Sequence, residues 1–198
     1  PGSIINADME LTTGWTGGAR SNAQAHGGTY SWSRGFSAQG TQDCYQDISN
    51  YKAGVSYTFT GWVRLQRDST AEGKVSLVIN DGIGETESTE VSTLSTWTEV
   101  TVTRQLTNGA TRLRLVLRTE KTDAGDAGVY GYFDDVSLSS TYGAIVAGAD
   151  FNNHLYYARG GMLLKLDKTA GTISYIGGFS VNITDLEVFG SNLFIALG

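Results

Sequence analysis

From Gly54 to Gln66 the chain reads Gly-Val-Ser-Tyr-Thr-Phe-Thr-Gly-Trp-Val-Arg-Leu-Gln, with its large apolar residues on every second position. Successive side chains of an extended strand point to opposite faces, whereas a helix gathers residues three and four apart. The run therefore sets Tyr57, Phe59, Gly61, Val63 and Leu65 on one face, and Thr58, Thr60, Trp62, Arg64 and Gln66 on the other. One face is apolar enough to bury and the other is largely polar, as in an antiparallel sheet with its core on one side.

The same period recurs along the chain. Lys74 to Asn80 turns Val75, Leu77 and Ile79 inward and ends at Asp81-Gly82, a turn signal. Thr98 to Thr103 aligns Val100 with Val102, and Asn108-Gly109 marks another turn. Arg112 to Arg118 sets Leu113, Leu115 and Leu117 against Arg112, Arg114, Val116 and Arg118. Tyr130 to Leu138 closes the series, with Val136 and Leu138 expected in the core and Asp134 on their face, pointing inward at the rim. No stretch has convincing helical periodicity. The 26 glycines, and a single proline at residue 1, suit many tight turns rather than a polyproline linker. The expected class is all-β, an antiparallel β-sandwich.

Charge is concentrated before residue 140, which holds 16 of the 20 acids, 11 of the 14 bases and all four tryptophans (15, 32, 62 and 97). Two units follow, 1–140 and 141–198. In the second, His-Leu-Tyr-Tyr-Ala-Arg from His154 and Asn-Leu-Phe-Ile-Ala-Leu from Asn192 look like one unit beginning twice, 38 residues apart. That spacing suggests the start of a β-propeller or similar repeat. A blade and a fraction has unprotected edges. The expectation is that the chain is part of a longer protein, or else that these strands pack on the first unit or on a neighbouring subunit.

A net charge of −6 argues against a partner that presents a phosphate backbone, so no nucleic acid is expected. No apolar run approaches the ~18–20 residues that cross a bilayer, so no membrane partner is expected. No signal peptide is legible, although a chain opening on Pro1 rather than Met is compatible with a removed leader. Cys44, the single cysteine, excludes an intramolecular disulfide and a cysteine zinc site, and is expected buried and inert. His26 and His154 have no evident catalytic partner, and Glu85, Glu87 and Glu90 read as a solvated hairpin end. Asn182-Ile183-Thr184 matches the N-glycosylation acceptor, a short pattern that arises by chance.

Five motifs stand in order: Asn6-Ala7-Asp8-Met9-Glu10 with Gly14-Trp15; His26-Gly27-Gly28-Thr29-Tyr30-Ser31-Trp32; Cys44-Tyr45-Gln46-Asp47-Ile48; Tyr57-Thr58-Phe59-Thr60-Gly61-Trp62-Val63; and Phe133-Asp134-Asp135-Val136-Ser137-Leu138. As a set they resemble the jelly-roll carbohydrate-binding modules of families 4, 9, 16 and 22, over roughly residues 3–140. The resemblance implies a structural calcium ion where the first and last motifs meet. Glu10 and Asp134 would supply carboxylates, the Gly27–Thr29 turn (Gly28 and Thr29 above all) backbone carbonyls, with Asp135 in reserve. Hard oxygen ligands at irregular geometry suit Ca²⁺. The competing reading is that Glu10 and Asp134 simply bond to backbone or pair with arginine.

The resemblance also implies a glycan site on a sheet face or rim cleft. Trp62, Arg64, Gln66, Asn80, Arg114 and Arg118 have the residue types that bind sugars, aromatic stacking with planar hydrogen-bonding groups. Against this, Trp62 is open to cover by a loop or the C-terminal segment, and the arginines to pairing with Glu85, Glu87, Glu90 or Glu120. Trp15, Trp32 and Trp97 read as structural, while Tyr130 and Tyr132 are placed to line a cleft. The function expected is a non-catalytic carbohydrate-binding module, extracellular or on a virion or cell surface, with a glycan or polysaccharide as partner. The alternative is a structural or attachment domain of a virion or cell-surface protein, using the same sandwich to contact neighbouring protein subunits.

Overall fold

A computed structural model describes residues 2–198, and every helix or strand assigned among them is a strand. The first nine are β1 (Ala19–Ser21), β2 (Ser31–Phe36), β3 (Gly40–Asp47), β4 (Ser56–Arg67), β5 (Gly73–Asn80), β6 (Glu85–Glu87), β7 (Thr98–Gln105), β8 (Arg114–Lys121) and β9 (Val129–Thr141). They form two antiparallel sheets, ordered β1-β2-β9-β4-β7 and β3-β8-β5-β6. Consecutive strands such as β4 and β5 lie in different sheets, so the connections cross the sandwich as in a jelly roll.

The period-two residues meet between the layers. Tyr57, Phe59, Val63 and Leu65 of β4 are buried with Leu77 and Ile79 of β5 and with Leu115 and Leu117 of β8. Burying a side chain of this size contributes about 1.5–3 kcal/mol. Trp15 and Trp32 join this core, as does Cys44, whose thiol is pushed up to about 12 by burial.

One expectation of parity fails. In β9, Phe133 faces the core opposite Val63, and Asp134 pairs with Trp62 of β4 on the outer face. Ser137 then pairs with Thr60, so one extra residue of β9 is accommodated opposite Gly61. Asp135 occupies this bulge at φ 45°, a left-handed conformation that aspartate tolerates better than most residues. Asp134 therefore does not share the inward face of Val136. It lies on the outer face, yet is fully buried.

A second buried carboxylate fastens the Asp81-Gly82 turn. Asp81 Oδ1 accepts from the amides of Ile83 (2.9 Å) and Gly84 (2.8 Å). Its Oδ2 accepts from Arg104 Nε (3.0 Å) and Nη2 (2.8 Å), and from the amide (3.1 Å) and hydroxyl (2.9 Å) of Thr107. The turn after β5 is thereby tied to the end of β7. Burial alone raises this carboxyl's pKa, but the amides of Gly84, Thr107 and Ile83 outweigh it and hold the group well below the usual carboxylate range.

Six further strands follow: β10 (Ile145–Phe151), β11 (His154–Arg159), β12 (Met162–Asp167) and β13 (Ile173–Gly178) as a meander, then β14 (Ile183–Phe189) and β15 (Asn192–Leu197) as a hairpin. Asn152 and Asn153, both at positive φ, make the two-residue turn between β10 and β11. The meander packs on the sandwich. Met162 belongs to the main core and Leu164 packs against it. Tyr175 Oη donates to Ala53 O (3.0 Å), and Gln105 Nε2 to Phe179 O (3.0 Å). Gly178 lies so close to the Ala53–Gly54 backbone that a β-carbon there would overlap it.

Asp81→Asn is expected to lower stability at pH 7 by roughly 3 kcal/mol, because Arg104 is left without its charge partner. A carboxyl with a depressed native pKa contributes stability above its unfolded pKa, and this is lost as pH falls through and below about 4. Urea unfolding at pH 7 and pH 3 should therefore show a smaller wild-type–variant difference at the lower pH. An equal difference at both would contradict the assignment.

Candidate functional site

The His26–Tyr30 turn reaches the sheet from the loop between β1 and β2. Carboxylates from both ends of the sandwich sequence hold it. Asp134 Oδ2 accepts from the amides of His26 (2.8 Å) and Gly27 (3.2 Å), while its Oδ1 accepts from the amide of Asp135 (2.8 Å). Glu10 Oε1 accepts from the amides of Thr29 (2.7 Å) and Tyr30 (3.0 Å). Burial pushes the Asp134 carboxyl up in pKa, against the downward pull of its three amide donors. Two glycines permit the close approach. A β-carbon on Gly27 would strike the Asp135 carboxylate, and one on Gly28, at φ 58°, would strike Glu10 Oε1.

The residues that the resemblance assigns to calcium do come together, but with different polarity. The amides of the turn donate to both carboxylates, so Glu10 Oε1 and Asp134 Oδ2 already have partners from the chain itself without a cation. Among the described residues no group of three or more His, Cys, Asp or Glu side chains is arranged to hold a metal ion.

What the turn delivers to the sheet is His26. Its imidazole stacks on the indole of Trp62, with ring centroids 4.0 Å apart and planes 14° from parallel. Trp97 meets it edge-on at 5.7 Å, and Nδ1 lies 2.7 Å from Asp135 Oδ2. Trp62, Arg64 and Gln66 continue along β4, facing Asp134, Tyr132 and Tyr130 of β9 in register. Arg64 Nε is buried with no partner among the described residues. The other half of this face carries hydroxyls, including the Thr58–Thr103 and Thr60–Thr101 pairs, each at 2.9 Å. At the rim, a cleft of about 460 Å³ lies beside Arg20, which stacks over the Tyr30 ring at 3.8 Å.

Asn80, Arg114 and Arg118 are elsewhere. They belong to β5 and β8, on the outer face of the opposite sheet, and so cannot share a ligand with Trp62. Their hydrogen bonds are also spent within the chain. Arg118 is bidentate on Asp43 (3.0 Å to each oxygen) and reaches Glu85 (2.9 Å) and Glu87 (3.3 Å). Arg114 is bidentate on Asp47 (2.8 and 2.7 Å) and covers the Tyr45 ring at 3.7 Å. Asn80 accepts from Arg112 and donates to Glu85. The partners are mainly Asp43 and Asp47 on neighbouring β3, which the sequence reading did not single out.

That reading also missed His26 as a site residue. The available signal was the Gly27-Gly28 pair, which marks a backbone that something must approach closely.

No protein-family model matches the chain, and no curated protein matches it. Solved structures do. A family 61 carbohydrate-binding module in complex with β-1,4-galactotriose is 18% identical, with a TM-score of 0.52, covering 71% of this chain and 100% of that one. A family 22 xylan-binding domain from Paenibacillus barcinonensis is 20% identical over 66% of this chain and 89% of that one, with a TM-score of 0.46. The enzymatically active domain of bacteriophage CBA120 tailspike protein 4 is 14% identical over 71% of this chain and 21% of that one, also at 0.46. At such identities the likeness to the family 61 module is one of fold: the two sheets of β1–β9 form a jelly-roll sandwich.

If amide donors alone satisfy the clasp, a chelator should leave the melting temperature unchanged, while Glu10→Ala, which strands two N–H groups, should cost about 1–2 kcal/mol. Calorimetric scans with and without EDTA check both. A drop in EDTA that Ca²⁺ restores would reinstate the ion.

Proposed function

We propose that the sandwich is a non-catalytic glycan-binding module whose binding surface is the outer face of the sheet containing β4. The observation that carries this reading is the file of His26–Trp62, Arg64 and Gln66 beside Tyr132 and Tyr130 on one sheet face. The C–H faces of a sugar ring stack on aromatic rings, and its hydroxyls take planar donors and acceptors in the ring plane. Arg64 lies beside Trp62 on this face, and its Nε has no hydrogen-bond partner among the described residues. The opposite sheet face, closed by its own ion pairs, has little left to offer a sugar.

A hydrolytic role needs a nucleophile beside a base, or two carboxylates across a groove. Here the His26 imidazole is held between Asp135 and the Trp62 indole, and Asp134 is buried under three amides. Binding without turnover is the chemistry this supports, at an extracellular, virion or cell surface where glycans are displayed. Attachment to a neighbouring protein subunit through the same face is the competing outcome of the test.

The first ligand to try is β-1,4-galactotriose, the sugar bound by the family 61 module, followed by a glycan array. Trp62→Ala and Arg64→Ala should each weaken binding at least ~10-fold in chains that remain folded. Arg118→Ala, on the opposite face, should leave affinity unchanged. Titration calorimetry reads all three. Failure of every arrayed glycan to bind, or full affinity in Trp62→Ala, would overturn the reading.

A further inference from the structure

The last 54 residues contain one strand–turn–strand unit twice, and the structure shows how one copy covers the other. β10–β11 and β14–β15 are related by 38 positions, which match Phe151 with Phe189, Leu155 with Leu193, Tyr156 with Phe194 and Ala158 with Ala196. Each pair turns at the same place, Asn152–Asn153 in the first and Gly190–Ser191 in the second.

The two faces of the first unit have different neighbours. On one, Met162 and Leu164 pack on the sandwich. On the other, Ala147, Ala149, Tyr156, Ala158 and Leu163 are covered by Ile183, Leu186, Leu193 and Ile195 of β14–β15. The small residues of β10 let the hairpin come close. In the second unit the positions matching Ala147, Ala149, Tyr156 and Ala158 are Asp185, Glu187, Phe194 and Ala196. That face is bare. Phe194 is 54% exposed, and a shallow groove of about 150 Å³ runs between it and the two acids.

We propose that the Asp185–Glu187–Phe194–Ala196 face is the seat of a third unit of this repeat, supplied by the same polypeptide. Its apolar face, equivalent to Ile183, Leu186, Leu193 and Ile195 of the second unit, would cover Phe194 and Ala196. Within this chain the β14–β15 hairpin follows the β10–β13 meander through only four residues, Phe179–Asn182, so succession along the polypeptide is the arrangement already in use. A repeat unit of this kind cannot bury both faces alone and relies on its neighbours. The sandwich then acts as the cap of the stack, standing where a preceding unit would pack. A second copy docked through the same face would bring the Asp185 and Glu187 carboxylates of both chains into one interface with no base among the lining residues, and crowding like charges is costly.

The test adds a copy of residues 161–198 after Gly198, completing the second unit and providing a third hairpin. It is made in the native background and with Asp185→Ala and Glu187→Ala, which gives the acceptor face the alanines of the first unit. The extension should slow amide hydrogen exchange in β14–β15 by roughly ten-fold in the alanine background, and less in the native one. Exchange there that is the same with and without the extension in both backgrounds would overturn the proposal. A second measurement needs only the 198-residue chain. Phe194→Asp should leave the melting temperature unchanged, whereas Ile195→Asp, facing the first unit, should lower it. Equal losses would show the face already occupied. A chain that sediments as a dimer, dissociated by Phe194→Asp, would identify a second copy as the occupant and refute a unit in the same polypeptide.

Discussion

The buried carboxylate of Asp134 organises the site. It lies on a sheet face where solvation would be expected, but is sealed under the His26–Gly27 turn, and its oxygens are supplied by three backbone amides. An ionised group in that position is tolerable only with such donors, because desolvation otherwise costs several kcal/mol. The turn in turn depends on the carboxylate, for its amides have nowhere else to go. Glu10 repeats the arrangement three residues further along. The opening segment, the first long loop and the closing strand thereby become one unit, and the imidazole of His26 is set down on Trp62.

The two outer faces of the sandwich use similar residue types to opposite ends. On the sheet of β3, β8, β5 and β6, Arg114 and Arg118 are matched to Asp47 and Asp43 across the strand pair, and the guanidinium forks are filled. Exposed pairs of this sort stabilise little, but they specify register and leave few donors free. On the sheet of β4, Asp134 accepts from backbone amides and Asp135 faces His26, while Arg64 Nε has no partner among the described residues.

Strand identity was legible because period two survives wherever one face is buried, as in β4 and β7, whereas β5 and β8 also bury Ser76, Val78 and Val116 on their second face. Parity gave each strand two faces but did not assign strands to sheets. Trp62 and Arg118 thus appeared to be neighbours, although they lie on opposite sides of the molecule. Parity also broke at Asp135, where a bulge that no local pattern announces moved Asp134 from the core face to the outer one. The 38-residue repeat could be read directly. The close approach of Gly178 to Ala53 and Gly54 could not, because glycine's role in long-range contact has no sequence period.

The site depends on His26 lying against Trp62 because Asp134 holds its turn. Nuclear Overhauser contacts between the His26 ring protons and the Trp62 indole, compared in the wild type and in Asp134→Ala, test this most directly. The account predicts strong contacts and ring-current-shifted His26 protons in the wild type, both lost in a variant that remains folded. Absence of those contacts in the wild type, or their persistence without the carboxylate, would contradict it.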